Sequence, residues 1–366
     1  MPIYMDVHTI PGVKARGVAE AHYKDMLLQD AYGCKCMTYW VDEDRENVFC
    51  LVEAPDKSTV EKLHSQAHGL LPNKIIEVNT AIVNSFLGRI YDPESAVIND
   101  EGLKVFHDPS FRVILVTKTI DPVLLQHKHG KELTTEVLHR QNELLRKQLH
   151  QHGGSEAENA GSAFIISFQS AAKAVACAVA VLKEMSAEDA ELTGFKIGIH
   201  AGEPVAKTDQ LFGDTIQMAT YLCGIAAKKR GAISTMVKDL ISKDQIDCRD
   251  LVILSPADET FLELFFINLE KYWQDPEFNV SDYCRVMAMS QSQLYRKTVD
   301  LFDLSPNSLL KEYRLHRARE LMRKRRYTIS QITFDSGFTS PSYFTKCFKK
   351  KYGLLPMEYL ELAGVR

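Results

Sequence analysis

The sequence lacks a long apolar run, a C-x-x-C cysteine pair and any low-complexity stretch. Its longest apolar stretch, Ala174 to Leu182, is about half of the roughly 20 residues that a bilayer-spanning helix needs. The first ten residues lack the basic start and apolar run of a signal peptide. Eight scattered cysteines fit reduced thiols better than a disulfide framework. We therefore expect a cytoplasmic protein with no membrane segment.

The charge is unevenly distributed along the chain. The 366 residues are 45% hydrophobic and 25% charged, which is typical of a soluble protein with two or three domains. Residues 260–366 hold 17 Lys plus Arg against 12 Asp plus Glu, whereas the first 259 residues hold 27 against 36. An acidic body with a basic C-terminal segment favours a sensing region joined to a nucleic-acid-binding domain.

Hydrophobic periodicity divides the chain into three structured segments. Residues 1–80 alternate between strand and helix patterns in the order β-α-β-β-α-β, which predicts an α+β ferredoxin-like domain. Residues 81–109 contain Asp-Pro breakers and read as a linker region. Residues 110–255 mix buried strands with amphipathic helices and predict an α/β domain. Residues 260–366 read as helical throughout, which predicts an all-α domain.

The C-terminal segment contains an internal repeat at an offset of 49 residues, so that Lys297 corresponds to Lys346. Each copy reads as a short helix, a tight turn and a second helix, and Gly337 suits a turn with an unusual backbone angle. The stretch Ser308 to Met322 predicts one continuous helix between the copies. Such a helix can hold two helix-turn-helix units so that both second helices enter successive major grooves, about 34 Å apart.

This repeat lies in a segment, residues 265–361, that resembles the AraC/XylS-type DNA-binding domain. The likeness rests on Tyr313-Arg314-Leu315, Ala318, Leu321, Ile332, Gly337-Phe338, the run from Ser342 to Lys350, Tyr352-Gly353 and Pro356. One departure is Thr333, where the family usually carries alanine, and we expect a local packing adjustment there. The resemblance implies a transcription regulator that binds double-stranded DNA, with RNA polymerase as a further partner if it is an activator.

The resemblance also implies that both second helices read DNA. Base contacts are expected from exposed positions, namely Gln291, Ser292, Gln293, Arg296, Ser340, Ser342, Tyr343 and Lys346. Arginine and glutamine suit bidentate contacts with guanine and adenine edges. Lys297, Lys349 and Lys350 are expected to hold phosphates. Three aromatic residues of the second helices, Tyr295, Phe344 and Phe348, are expected in the core.

The middle segment, residues 111–240, resembles the class III adenylate/guanylate cyclase catalytic domain. The likeness rests on His152-Gly153-Gly154, Ser170 to Ala174, Ile197 to Glu203, and Phe212 to Thr215. That family uses two metal-binding aspartates. Here the opening strand Ile114 to Thr119 has no acid, and the turn that should hold the second aspartate reads Gly161-Ser162-Ala163.

The transition-state asparagine and arginine of the cyclase family fall at Gln217 and Tyr221. We therefore expect a degenerate domain with no catalytic residues, a pseudo-cyclase. The cyclase fold pairs head to tail, which favours homodimerisation as its inherited role. Nucleotide binding without turnover is the other role, and a residually active enzyme with a DNA-binding tail is the alternative reading of the whole chain. His200 reads as a cleft residue or as an ordinary strand-end histidine.

Residues 1–80 resemble a family of small bacterial ferredoxin-like proteins known for nickel binding. The likeness rests on Tyr4 to His8, Ala21-His22, Tyr39 to Glu43, Phe49 to Pro55, and His64 to Gly69. Imidazole and thiolate suit nickel, zinc or copper. His64 and His68, four residues apart on a helix, share one face. Asp6 and His8 share one face of a strand, as do Cys34 and Cys36.

We therefore expect a transition metal, with nickel favoured, at ligands drawn from His8, His22, Cys50, His64 and His68. The alternative, in which these residues bind no metal, is that His22 and His64 are surface histidines and that Cys50 is a packed core thiol. A metal-buffering protein with accessory DNA binding is a further possibility. The sequence as a whole favours a ligand-controlled transcription regulator with a sensing N-terminal domain.

Overall fold

A four-stranded antiparallel sheet of order β2-β3-β1-β4, with two helices on one face, forms the N-terminal domain. The fold comes from a computed structural model, which describes residues 1–94, 96–99, 102–159, 162–225, 230–241, 246–324 and 327–364. The elements of this domain are β1 (Ile3–Thr9), α1 (Ala15–Leu28), β2 (Lys35–Asp42), β3 (Asn47–Glu53), α2 (Lys57–Ala67) and β4 (Lys74–Val78). The predicted order of strands and helices is confirmed.

Residues 81–109, which the sequence pattern assigns to a linker region, contain regular structure. Helix α3 (Thr80–Leu87) is capped by the Asn79 side chain, and a short hairpin joins β5 (Val97–Ile98) to β6 (Lys104–Val105). The buried Arg112 guanidinium donates to the carbonyls of Phe86 and Leu87 at the C-terminal end of α3. This segment is therefore fixed to the domain that follows it.

The middle domain is a six-stranded sheet of order β12-β11-β10-β7-β9-β8 covered by helices. Its strands are β7 (Arg112–Lys118), β8 (Ser155–Asn159), β9 (Ala163–Phe168), β10 (Lys196–Gly202), β11 (Gly231–Ile233) and β12 (Leu251–Ile253). Its helices are α4 (Pro122–His129), α5 (Lys131–His152), α6 (Ala171–Glu184), α7 (Ala187–Thr193), α8 (Gly213–Ile225) and α9 (Thr235–Leu240). Gly161, the first residue of the turn that should hold the second aspartate, lies outside the described residues.

The C-terminal domain is helical, as predicted, and its first helix begins at Pro256. Its helices are α10 (Pro256–Tyr272), α11 (Val280–Val286), α12 (Gln291–Phe302), α13 (Pro306–Arg323), α14 (Ile329–Asp335), α15 (Pro341–Tyr352) and α16 (Pro356–Leu362). Helices α11 and α12 form one helix-turn-helix unit, α14 and α15 form the other, and α13 is the continuous helix between them. The buried Thr333 hydroxyl donates to the Ile329 carbonyl at 2.8 Å, so the departure from alanine leaves no unpaired group.

Capping residues explain where the helices of both units begin. Ser290 and Gln293 form a capping box at α12, and Thr328 with Gln331 forms another at α14. The turn of the second unit requires Gly337, which has φ +73°. A side chain at this glycine would also collide with the Trp273 carbonyl, which lies in the loop after α10.

The open face of the N-terminal sheet packs against the middle domain. Alternation along β1 points Met5 and Val7 to this face, where they join Trp40 and Phe49 in one apolar cluster. The middle domain contributes several buried side chains to the same cluster, namely Ile114, Val116, Val205, Leu211, Phe212, Ala219 and Cys223. The side-chain amine of Lys74 adds polar contacts by donating to the carbonyls of residues 206–208 at 2.7–3.0 Å.

The middle and C-terminal domains share two further contacts. One is an apolar cluster in which α8 packs on α10 and on the first helix-turn-helix unit. The other is the carboxylate of Asp121, which is buried at the N-terminus of α4. This carboxylate accepts from Arg323 and from the Tyr359 hydroxyl, both at 2.8 Å, and lies 3.2 Å from the Arg319 guanidinium. Among the described residues, no helix is both long and apolar enough to cross a membrane.

The Asp121→Ala variant tests whether this buried carboxylate holds the second helix-turn-helix unit. Removing one partner of a buried ion pair leaves the other charge uncompensated, so we expect a loss of about 3 kcal/mol in the free energy of unfolding. Urea denaturation of the full chain measures this loss. The exposed ion pair between Asp247 and Arg249 provides a matched control, since solvent screens such a pair and Asp247→Ala should leave the free energy of unfolding nearly unchanged. Equal effects of the two substitutions would contradict the assignment.

Candidate functional site

Three histidines and two aspartates form a buried cluster between the N-terminal sheet and its helices. Asp6 and His8 come from β1, Asp25 from α1, His64 from α2, and His68 from the residue that ends α2. Asp6 is fully buried, and the His64 side chain is 1% exposed. Alternation along β1 and the four-residue spacing on α2 place these side chains on facing surfaces.

The His64 ring lies at the centre of the cluster and bridges the two carboxylates. Its Nε2 lies 3.0 Å from Asp6 Oδ2, and its Nδ1 lies 3.1 Å from both carboxylate oxygens of Asp25. The same Nδ1 lies 3.1 Å from His68 Nε2, and His8 Nε2 lies 3.2 Å from Asp6 Oδ1. Asp6–His8–His64 and Asp25–His64–His68 each bring their ligand atoms within 4.8 Å of one another.

The electrostatics of the cluster favour a charged His64 between two carboxylates. Burial disfavours the charged form of His64, but the Asp6 and Asp25 carboxylates outweigh it and raise the pKa of His64 to about 10. Burial likewise opposes ionisation of Asp6, and His64 holds the Asp6 pKa below its ordinary value. The Asp25 pKa is also lowered, because hydrogen bonds from His64 and His68 outweigh its burial.

The donor set fits a transition-metal ion. Imidazole and carboxylate groups suit nickel, zinc and copper. Two atoms that each lie about 2.1 Å from one tetrahedral ion are roughly 3.4 Å apart, close to the separations seen around His64. One buried polar atom of the cluster, His8 Nδ1, has no hydrogen-bond partner among the described residues, while Asp6 Oδ1 has His8 Nε2 at 3.2 Å. An ion bound by these side chains would give His8 Nδ1 a partner or reorient the His8 ring.

The other two predicted metal ligands, His22 and Cys50, lie beside this cluster and outside both groups of ligand atoms. With His8 and Asp25 they line a cavity of about 220 Å³. Burial lowers the pKa of His22 and raises that of the Cys50 thiol well above its ordinary value. His22 Nε2 lies 4.0 Å from Asp92. Cys50 therefore resembles a packed core thiol, as the alternative without a metal expects. His22 is buried, although that alternative places it at the surface.

The structure brings His8, His64 and His68 together and adds two carboxylates that the predicted ligand set lacks. Asp6 shares a strand face with His8, so the two-residue periodicity indicated its place in the sequence. Asp25 follows His22 by three residues on α1, and this spacing put both on one helix face. Only the packing of α1 against α2 brings Asp25 to His64, and no local pattern carries that information.

The exposed side chains at the start of α12 and α15 form the second candidate site, which we call the recognition surface. Gln291, Ser292, Gln293 and Arg296 are exposed in the first unit. Ser342, Tyr343 and Lys346 are exposed in the second unit, while Ser340 is half-buried because its hydroxyl caps α15. The N-terminal ends of both second helices are therefore open to a partner.

The predicted phosphate contacts differ in their surroundings. Lys349 and Lys350 are exposed in the last turn of α15. Lys297 is half-buried and paired with Asp258 of α10. It can reach a phosphate only by leaving that carboxylate.

The prediction that Tyr295 belongs to the core is wrong. Its side chain is 54% exposed, whereas Phe344 and Phe348 are fully buried as predicted. The offset of 49 aligns Tyr295 with Phe344, but α12 and α15 begin at Gln291 and Pro341, an offset of 50, because the second turn is one residue longer. Leu294 therefore takes the core position of the first unit. Tyr295 thus extends the recognition surface.

The positions that match cyclase catalytic residues converge on one side of the middle domain. Ser162 and Tyr221 line a cavity that Lys118 at the end of β7 also lines, and Gln217 lines a neighbouring one together with His200. Burial lowers the pKa of His200 to about 4. The Tyr221 ring stacks on Phe266 of the C-terminal domain, with ring centroids 3.8 Å apart. No acidic side chain of β7 faces this region, since the strand contains none.

Comparison with known proteins assigns the two ends of the chain to different families. Residues 283–361 match a family described as a helix-turn-helix domain, and residues 4–78 match one described as nickel responsive protein SCO4226-like. The C-terminal segment is an AraC-type helix-turn-helix domain. The N-terminal segment is an SCO4226-like domain.

Individual relatives cover parts of the chain. A histidine kinase P4 from Formosa agariphila is 33% identical over 30% of this chain and 8% of its own length. The HTH-type transcriptional regulator MtrA from Neisseria gonorrhoeae is 28% identical over 25% of this chain and 30% of its own length. This chain therefore spans less than a third of either relative.

Two solved structures are similar at low TM-score. SCO4226 from Streptomyces coelicolor A3(2) is 27% identical, covers 21% of this chain and 94% of its own, and has a TM-score of 0.20. A bacterial light-regulated adenylyl cyclase is 12% identical, covers 66% of this chain and 87% of its own, and has a TM-score of 0.32. The multidomain arrangement of an α+β domain, a sheet-containing middle domain and a helical domain matches the predicted fold class.

Alanine substitutions at Tyr295 and Phe344 test the corrected core assignment. Phe344→Ala removes a fully buried ring and should lower the free energy of unfolding by about 3–5 kcal/mol. Tyr295→Ala removes an exposed ring and should change it by less than about 1 kcal/mol. Urea denaturation of both variants provides the comparison. If Tyr295→Ala lowered the free energy of unfolding as much as Phe344→Ala, Tyr295 would belong to the core.

Proposed function

We propose that the protein is a sequence-specific DNA-binding transcription regulator. The observation that carries the proposal is the pair of helix-turn-helix units held on one continuous helix, α13, with the N-terminal ends of both second helices exposed. Such ends are the parts of a recognition helix that contact base edges in the major groove. The matches of this segment to helix-turn-helix regulators support the same function.

The charge and chemistry of the recognition surface suit DNA. Arg296 and Lys346 offer cationic donors at corresponding depths in the two units, and Gln291 and Gln293 offer amides that can pair with adenine. Lys349 and Lys350 supply positive charge for the phosphate backbone. Gln293 also closes the capping box of α12, so its side chain has to leave that bond to read a base.

Substitutions in the recognition surface test DNA binding directly. Duplexes enriched from a random-sequence library by the full-length protein serve as specific DNA. Arg296→Ala and Lys346→Ala should each weaken specific binding by about 1–3 kcal/mol, because each removes a base contact. Lys349→Ala should weaken binding to specific and to random duplexes by similar factors and should lower the dependence of the affinity on salt.

Fluorescence anisotropy at fixed salt measures these affinities. Lys183→Ala, at an exposed lysine of α6 in the middle domain, is the matched control and should leave binding unchanged. If Arg296→Ala and Lys346→Ala both bind as tightly as the unchanged chain, the recognition surface is misplaced. Failure to enrich any duplex would overturn the function itself.

The N-terminal cluster is the sensing site in this proposal, with nickel as the favoured ion. Its support is the set of buried imidazoles and carboxylates around His64, together with the match to a nickel responsive family. His8, His64 and His68 would hold the ion with Asp6 and Asp25 as carboxylate ligands or partners. Metal binding would regulate DNA affinity only if it favoured one arrangement of the C-terminal domain.

Metal titration tests the sensing site. Calorimetry of the full chain with Ni²⁺, Zn²⁺ and Cu²⁺ should give stoichiometric binding, which the triple substitution of His8, His64 and His68 by alanine should abolish. His139→Ala, at an exposed histidine of α5, is the control and should bind metal normally. The Asp25→Asn variant distinguishes the two candidate ligand groups, Asp6–His8–His64 and Asp25–His64–His68. It should weaken metal binding if the ion lies in the second group. If the triple variant bound metal as tightly as the unsubstituted protein, metal binding at this cluster would be contradicted as the signal.

We infer that the middle domain performs no cyclase reaction and has a structural role. Its support is chemical, because the strand Ile114 to Thr119 has no acid, and Ser162, Gln217 and Tyr221 stand where that reaction needs a metal-binding carboxylate, an amide and a guanidinium. Homodimerisation through this domain stays a prediction. The N-terminal sheet and α8 cover one face of the middle sheet, so a dimer would use other surfaces.

A further inference from the structure

A cavity of about 580 Å³ lies between the middle and C-terminal domains, apart from the metal cluster and the recognition surface. Its walls come from β7 and α8 on one side and from α10, α12 and α13 on the other. Volumes of roughly 300–1,000 Å³ are typical of sites for small organic ligands. The cavity is therefore large enough to hold a small molecule that touches both domains.

The aromatic wall of this cavity contains an unsatisfied polar atom. Tyr221 stacks on Phe266 with ring planes 9° from parallel, and Phe302 and Tyr313 extend the apolar surface. The Tyr221 side chain is 92% buried, since its exposure is 8%, and its hydroxyl has no hydrogen-bond partner among the described residues. A buried hydroxyl without a partner costs free energy, which a ligand with a polar group would recover.

Among the described residues, four cationic side chains and three carboxylates line the cavity. Glu312 pairs with Lys351 and Glu320 pairs with Arg317, whereas Glu270 accepts a hydrogen bond from the neutral Tyr313 hydroxyl. The remaining arginines of the wall, Arg319 and Arg323, both face Asp121.

Lys118 at the end of β7 makes no ion pair with any described residue, although it lines the same cavity. Its charge contributes to the lowered pKa of Glu320 in the same cavity. The cavity thus combines an ammonium group without a salt bridge, a hydroxyl without a hydrogen-bond partner and an aromatic wall.

We propose that this cavity binds a small planar anion, which we call the interdomain ligand. A carboxylate or phosphate of the ligand pairs with Lys118, a polar atom accepts from or donates to the Tyr221 hydroxyl, and the ring packs against the aromatic wall. Because the walls belong to two domains, the ligand stabilises their docked arrangement over any arrangement in which α13 leaves α8. The inference does not depend on the metal site or on DNA binding.

Calorimetry of the full-length protein with named probes tests the cavity. Salicylate combines a ring with a carboxylate, AMP combines a ring system with a phosphate, and neutral benzamide is the control for ring binding alone. We expect saturable binding of at least one of the two anions and much weaker binding of benzamide. Preference for salicylate or AMP tells whether the natural ligand carries a carboxylate or a phosphate.

Variants then locate the bound anion. Lys118→Met should weaken binding by about tenfold or more, while Lys118→Arg should keep it within about threefold because the charge stays. Tyr221→Phe keeps the stack on Phe266 and should weaken binding by about fivefold. Lys183→Met is the control at an exposed lysine outside the cavity and should bind normally.

Three results would overturn the interdomain ligand. One is the absence of binding by both anions up to about 1 mM. The second is binding that Lys118→Met and Tyr221→Phe leave unchanged. The third is an equal loss in Lys118→Arg and Lys118→Met in chains whose thermal unfolding midpoints match the unchanged protein, since that pattern contradicts a charge-based site.

Discussion

The burial of helix α8 on several sides is the constraint on which the arrangement of the three domains depends. Ala219 and Cys223 face the apolar cluster beneath the N-terminal sheet, whereas Tyr221, Leu222 and Ile225 face the C-terminal helices. A helix that is apolar around most of its circumference is stable only when other elements cover it. Each flanking domain covers a different side of α8, so displacement of either one would expose apolar surface.

This geometry connects the buried cluster around His64 to the helix-turn-helix domain through packed elements. Alternation along β1 places His8 in the cluster and Val7, its neighbour, in the apolar contact with the middle domain. Lys74 binds the loop after β10, and Lys207 of that loop pairs with Glu263 on α10. Spatial continuity alone does not establish coupling. A ligand acts through such a path only to the extent that it binds one arrangement more tightly than another, and a change from 1:99 to 99:1 needs about 5.5 kcal/mol.

Local signals account for what the sequence predicted correctly. Caps, turns and the repeat define the helix-turn-helix units, and two-residue alternation defines β1 with Asp6 and His8 on one face. The failures have two causes. The turn of the second unit is one residue longer than that of the first, so the offset of 49 placed the exposed Tyr295 opposite a core residue. Asp25 reaches His64 only because α1 packs on α2. The short strands β11 and β12 carry three residues each, too few for periodicity to show.

The C-terminal domain docks on the part of the middle domain where the resemblance to cyclases would place catalytic residues. A cyclase needs an open cleft where metal ions and a nucleotide can meet. Here the side of α8 that carries Gln217 and Tyr221 faces α10, and Tyr221 is committed to a stack on Phe266. Tyr221, Leu222 and Ile225 of α8 therefore supply apolar surface that holds the C-terminal domain against the middle domain. With the cluster beneath the N-terminal sheet, this surface makes the middle domain a packed connection between the two ends of the chain.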